Sequence, residues 1–228
     1  MNYLHTIVLV AAIISSILFI FTSSLILVKN SSNRTLSLLN SFPCEYFMEM
    51  NQKKRISCFI LLIAIQFFQA VCLFISIYYL RSRSAYSLFC ALIAAVGSLV
   101  FVIGFISPLS RTILHISAII CSFFMLLFFN TLLAFINVVP DSYDIAFSSF
   151  SMPYYVSCGV IAILIFISLC NPKLFNWSRM EKTEQDGKTI YIKPKVNYLA
   201  LYEWIYFLLY QVSCIIVSVN FLLNIKVI

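Results

Sequence analysis

The sequence predicts an all-α, polytopic membrane protein: six transmembrane helices in one bundle, with a small hairpin in the fifth connection. Three observations carry this. Of 228 residues, 62% are hydrophobic and 10% are charged, whereas a soluble domain holds roughly 25% charged residues. Long charge-free runs recur along the chain. With four glycines and 22 phenylalanines, the composition excludes collagen-like and disordered chains.

The predicted spans are Ile7–Val28, Ile56–Leu80, Tyr86–Pro108, Thr112–Val139, Pro153–Cys170 and Tyr198–Leu223, all within one domain covering 1–228. Each is long enough for a helix rising ~1.5 Å per residue to cross ~30 Å of hydrocarbon. The first lacks the basic lead of a cleaved signal and exceeds an h-region of about 7–15 residues, so it reads as a span. Very short turns join spans two, three and four, which makes them antiparallel neighbours. The fourth is longer than a bilayer requires and tilts or projects. Span three carries Ala91, Ala94, Ala95, Gly97, Ser98 and Gly104 at helical spacings, which lets another helix approach closely and makes this span central. In "EKTEQDGKTIYIKP", Asp186-Gly187 is a favoured two-residue hairpin turn, followed by the strand-like Thr189–Ile192.

Cys72, Cys90, Cys121, Cys158, Cys170 and Cys214 lie inside spans, Cys58 lies at a span edge and Cys44 lies in the first loop. There is no C-x-x-C pair, so these read as small apolar helix residues, with Cys44 a palmitoylation candidate if cytosolic. Aromatics gather at span borders, from Tyr78 and Tyr79 to Tyr154, Tyr155 and Trp177, then Tyr198, Tyr202, Trp204 and Tyr206; they read as an interfacial belt.

Two signals bear on orientation. Twelve of the fifteen basic residues fall in the first, third and fifth connections, which the positive-inside rule assigns to the cytosol, against anionic lipid. The glycosylation acceptor patterns at Asn30, Asn33 and Asn176 fall in the same loops and assign them to the outside. The two signals oppose each other and leave orientation open.

Polar residues inside spans are the candidate functional groups. Gln66 and Gln69 share a face of span two, and Asn130, Gln211 and Asn220 lie in spans four and six. Buried amides of this kind bond across helices. His115 lies four residues past Arg111, ~6 Å along its helix, and Glu203 six past Asn197, ~9 Å along its own. Both helices start on the basic side, so the two residues sit at similar depth. Pairing lowers the cost of burying both. The expectation is a polar pocket open to the basic side, formed by His115, Glu203, Gln211 and Asn130; the alternatives are a buried bond fixing two helices, or a Glu203 that snorkels to the interface.

The order of these features resembles a family. A histidine opens span four in "RTILHISAIICSFF" and a Glu-Trp pair opens span six in "ALYEWIYFLLY". A proline lies in "NSFPCEYF", and Gly97, Gly104 and Phe105 precede His115 in span three. Together they resemble the damage-regulated autophagy modulator (DRAM) superfamily, which includes the FGF-receptor-activating protein and factors that remodel the lipid of GPI anchors. The acidic, serine-containing part of the first loop common in that family is absent, replaced by "CEYFMEMNQKKR". The family is drawn with cytosolic termini.

The resemblance implies a non-catalytic protein that regulates or organises membrane lipids, modulating autophagy or phosphoinositide signalling, in a lysosomal, Golgi, ER or plasma membrane. A GPI-lipid-remodelling enzyme or accessory factor is the alternative, with His115 as base and Glu203 orienting it. A scramblase or transporter is the third reading, with inward amides lining a path; the sequence lacks the inverted repeat and broken helices of that class. The sequence contains no P-loop, H-E-x-x-H or nucleophile elbow. With His5 and His115 the only histidines, a multi-histidine metal site is excluded and no cofactor is expected. Expected partners are anionic membrane lipids and a protein partner of unknown identity. Nucleic-acid binding has no support beyond net charge.

Overall fold

The computed structural model describes residues 2–30, 39–48, 50–79, 85–107, 112–135, 181–185, 188–192 and 196–223, with single positions at 159, 163, 166 and 170. Most of the predicted fifth span, together with Asn33 and Asn176, lies outside them. The described helices are α1 (Asn2–Asn30), α2 (Pro43–Met48), α3 (Gln52–Tyr79), α4 (Ala85–Ile106), α5 (Thr112–Phe135) and α6 (Tyr198–Leu223). α1, α3, α4 and α6 are each long and apolar enough to cross a membrane. The protein is an all-α polytopic membrane protein. α1, α3, α4, α5 and α6 overlap the first, second, third, fourth and sixth predicted spans, α5 being described only to Phe135. Asn30, one of the acceptor asparagines, is the last residue of α1.

The helix ends follow from local chemistry. The Asn51 side chain accepts from the Lys54 amide at 3.0 Å and opens α3. Asn197 does the same for the Ala200 amide at 3.3 Å and opens α6. α4 stops before Pro108, because the residue preceding a proline is pushed out of helical conformation. The predicted hairpin is present: β1 (Glu181–Gln185) pairs antiparallel with β2 (Lys188–Ile192), and Gln185 faces Lys188 across the two-residue connection.

α4 packs along both α3 and α5, and α1 packs along α3 and α6. The small residues of α4 explain its contact with α5. A Cβ on Gly97 would lie 3.2 Å from Met125 Cβ, and one on Gly104 would lie 3.1 Å from Ile119 Cγ1 and 3.4 Å from its backbone nitrogen. Toward α6, α4 instead presents aromatic rings. Phe101 stacks on Tyr210 at 4.2 Å, and Phe105 meets Phe207 edge-on at 4.6 Å. Phe19 of α1 closes against both Phe101 and Phe105. Tyr206, which the sequence assigns to the interfacial belt, is a core residue: it is buried and stacked on Phe123. Its position on α6 faces the bundle, and that outweighs its proximity to the helix start.

Candidate functional site

The site lies at the end of the bundle where α4 finishes and α5 and α6 begin. Ser107, next to Pro108, has left the helix. Its carbonyl receives the Nδ1–H of His115 at 3.0 Å. A carbonyl can only accept, so Nδ1 must carry the hydrogen. His115 Nε2 then faces Glu203 Oε1 at 3.2 Å. Two arrangements satisfy that contact: an imidazolium donating to a carboxylate, or a neutral ring accepting from a carboxylic acid. In both, the pair holds one shared proton and carries no net charge. That is how two ionisable groups, 2% and 3% exposed, tolerate burial in a membrane bundle.

The expected pairing of His115 and Glu203 is therefore present, and a snorkelling Glu203 is not. Among the described residues the expected opening to the basic side is not found either: the 39–48 part of the first loop covers the pair. Residues Leu39–Met48 fold back into the bundle, with Pro43, Cys44, Tyr46 and Phe47 buried along α2. Glu45 starts this short helix by accepting from the Phe42 amide at 2.9 Å, half of a capping box. The Phe42 ring then stands edge-on to His115, with centroids 6.2 Å apart. Two backbone contacts hold the plug to α6. The Trp204 indole donates to the Ser41 carbonyl at 2.9 Å, and the Asn197 amide donates to the Leu39 carbonyl at 2.7 Å. Tyr46 packs edge-on against Trp204, and Phe47 against Phe105. Trp204 is thus a clamp on the first loop as well as a border aromatic. Cys44 is 0% exposed in α2, packed with Phe42 and Ala200, which corrects its assignment to a loop and removes it as a palmitoylation candidate.

Gln211 belongs to a second centre. It lies eight residues past Glu203, ~12 Å deeper along α6. There the Gln66 amide donates to Gln69, the Gln69 amide donates to Gln211 at 3.1 Å, and the Gln211 amide donates back to Gln66 at 3.1 Å. The three side chains close a ring, each 0–1% exposed. The second N–H of Gln66 reaches Ser98 on α4 at 2.5 Å, and that of Gln69 reaches Ser16 on α1 at 2.6 Å. One amide ring therefore ties α1, α3, α4 and α6. Gln66 and Gln69 fulfil their expected inter-helix role, and Gln211 joins them instead of the His115–Glu203 pair. Asn130 lies in α5, but its side chain is outside the described set. Sequence reasoning missed Ser16 and read Ser98 only as a small packing residue; their depth, level with the glutamines, was the signal available.

Beside the plug, a cavity of about 290 Å³ separates part of α1 from α6, reaching from Leu201 and Trp204 down to Gln211. Among the described residues, no group of three or more His, Cys, Asp or Glu could hold a metal ion. Compared with known protein families, curated proteins and solved structures, the chain gives no significant match.

Proposed function

We propose that this is a non-catalytic integral membrane protein that binds and organises lipids, of the DRAM type. The observation that carries the reading is how the His115 ring is used. Both ring nitrogens are engaged in joining α4, α5 and α6, and Phe42 covers its edge. A general base needs a substrate proton within about 2.6–3.2 Å, and here that shell is filled by the protein itself. Of the residues that suggested the DRAM superfamily, Phe105, His115, Glu203 and Trp204 meet around the plug that carries Pro43. Their convergence supports a shared architecture.

The test has two arms. Cells depleted of the protein should show altered leaflet distribution or abundance of anionic phospholipids, and an unchanged lipid profile would sink the lipid-organising reading. Purified protein in liposomes should leave lipid chains and headgroups chemically intact by mass spectrometry. Product formation that His115→Ala abolishes would instead establish the remodelling enzyme.

A further inference from the structure

The cavity between α1 and α6 has a floor and a rim of different character. Phe19, Phe105 and Phe207 are buried and form the floor, while Ser24, Ile205 and Leu208 are exposed and form the rim. In a helix pair that crosses a bilayer, such a rim faces hydrocarbon. α6 lines the groove with Trp204 and Leu208 among others, and α1 lines it with two small residues, Ser23 and Ser24. Their hydroxyls turn back onto the Phe19 and Ile20 carbonyls, the second at 2.7 Å, so they offer the groove little beyond carbon. Gln211, at the lower end, spends its amide on the ring described above. The surface on offer is therefore apolar although three of its residues are nominally polar.

The groove is elongated. Leu201 and Gln211 are ten residues apart along α6, ~15 Å of helix. Its volume falls near the lower end of the ~300–1,000 Å³ common for ligand sites. Its upper end points to the basic end of the bundle. Lys29 lies five residues past Ser24 in α1, and Lys53 and Lys54 are exposed at the start of α3. A narrow apolar slot below a set of lysines fits one class of molecule.

We propose that this groove holds one acyl chain of an anionic phospholipid, entering sideways from the bilayer, with its phosphate at the Lys29 end. This rests on the lipid-organising reading and names its ligand. The full-length protein in nanodiscs is irradiated with phosphatidylserine carrying a diazirine in mid-chain, and the labelled peptides are mapped. Labelling should concentrate near Ser23–Ser24 and Ile205–Leu208, with about a fivefold preference over phosphatidylcholine of the same chain, the preference one membrane-surface lysine confers. Ser23→Phe, which fills the groove, should abolish it; should that variant not fold, Leu208→Trp closes the rim from the exposed side. Lys29→Gln should remove the headgroup preference. Labels spread evenly over exposed positions such as Phe67 and Phe124, or untouched by filling, would overturn the groove. Equal labelling by both lipids would overturn the anionic assignment. Altered lipid distribution on depletion, with no groove labelling, would overturn this site and leave the broader function standing.

Discussion

Removing His115 while keeping Glu203 should be far more damaging than removing both. In His115→Ala, the carboxyl loses the Nε2 contact at 3.2 Å and the Ser107 carbonyl loses its donor at 3.0 Å. Breaking a buried pair from one side costs about 3–5 kcal/mol, because the surviving partner stays buried. Changing Glu203 to Leu in that background removes the stranded group and should recover about 1–3 kcal/mol, since replacing both partners by apolar groups is often nearly neutral. Glu203→Gln should be the mildest of the series. Its amide can donate to an unprotonated Nε2 while Nδ1 keeps Ser107, so the hydrogen bond persists with no charge, at a cost of about 1 kcal/mol or less. The assay is equilibrium unfolding in mixed micelles by increasing SDS, followed by tryptophan fluorescence, with Trp204 reporting at the site. Additivity of His115→Ala and Glu203→Leu within ~0.5 kcal/mol would mean that the two side chains do not interact. It would refute the pairing and the shared proton together.

Gln69→Ala should destabilise the bundle by about 2 kcal/mol, because three side-chain bonds are lost at about 0.6 kcal/mol each in a membrane interior; the same micelle titration reads it, and replacing all three ring glutamines by Leu should cost less than the sum of the single changes. Gly104→Ala should cost about 1–3 kcal/mol by overpacking, since the new methyl meets both the Ile119 side chain and its backbone; a neutral result would show that α4 and α5 can separate freely. Native protein should resist a water-soluble maleimide at Cys44, with reaction appearing on denaturation, as measured by mass shift. Trp204→Phe removes the donor to Ser41, costing about 0.5–1.5 kcal/mol, and should accelerate that labelling if the indole clamps the plug; an unchanged rate would mean that the other contacts suffice.

Much of this architecture was legible in the chain. Charge-free runs set the helices, because the bilayer constrains length and polarity so strongly. The meeting of His115 and Glu203 was legible from counting: both lie a known number of residues from the same membrane face, and helical rise converts that into depth. The same arithmetic separates Gln211 from them and levels it with Gln66 and Gln69. Residue type alone had grouped it with the wrong partners. The plug was not legible. "SFPCEYFM" is too short to register as a span and too apolar for an ordinary loop, and nothing local says that it folds back over His115. That depends on contacts between segments far apart in the chain, such as Ser41 with Trp204. Reading Tyr206 as a belt residue failed for a related reason: distance from the helix end fixes depth but not the direction a side chain faces.

The ring of glutamines also has a consequence for how the protein is made. Two of its members enter the membrane with α3, while the third arrives only with α6, more than 140 residues later. Throughout synthesis of the intervening chain, Gln66 and Gln69 sit in the membrane without their closing partner. Insertion of α6 also brings Glu203 to His115 and Trp204 to the first loop. The last described helix therefore settles the amide ring, the shared proton and the plug in one event. A chain interrupted before Tyr198 lacks all three closures at once: Gln66 and Gln69 without Gln211, His115 without Glu203, and the first loop without Trp204.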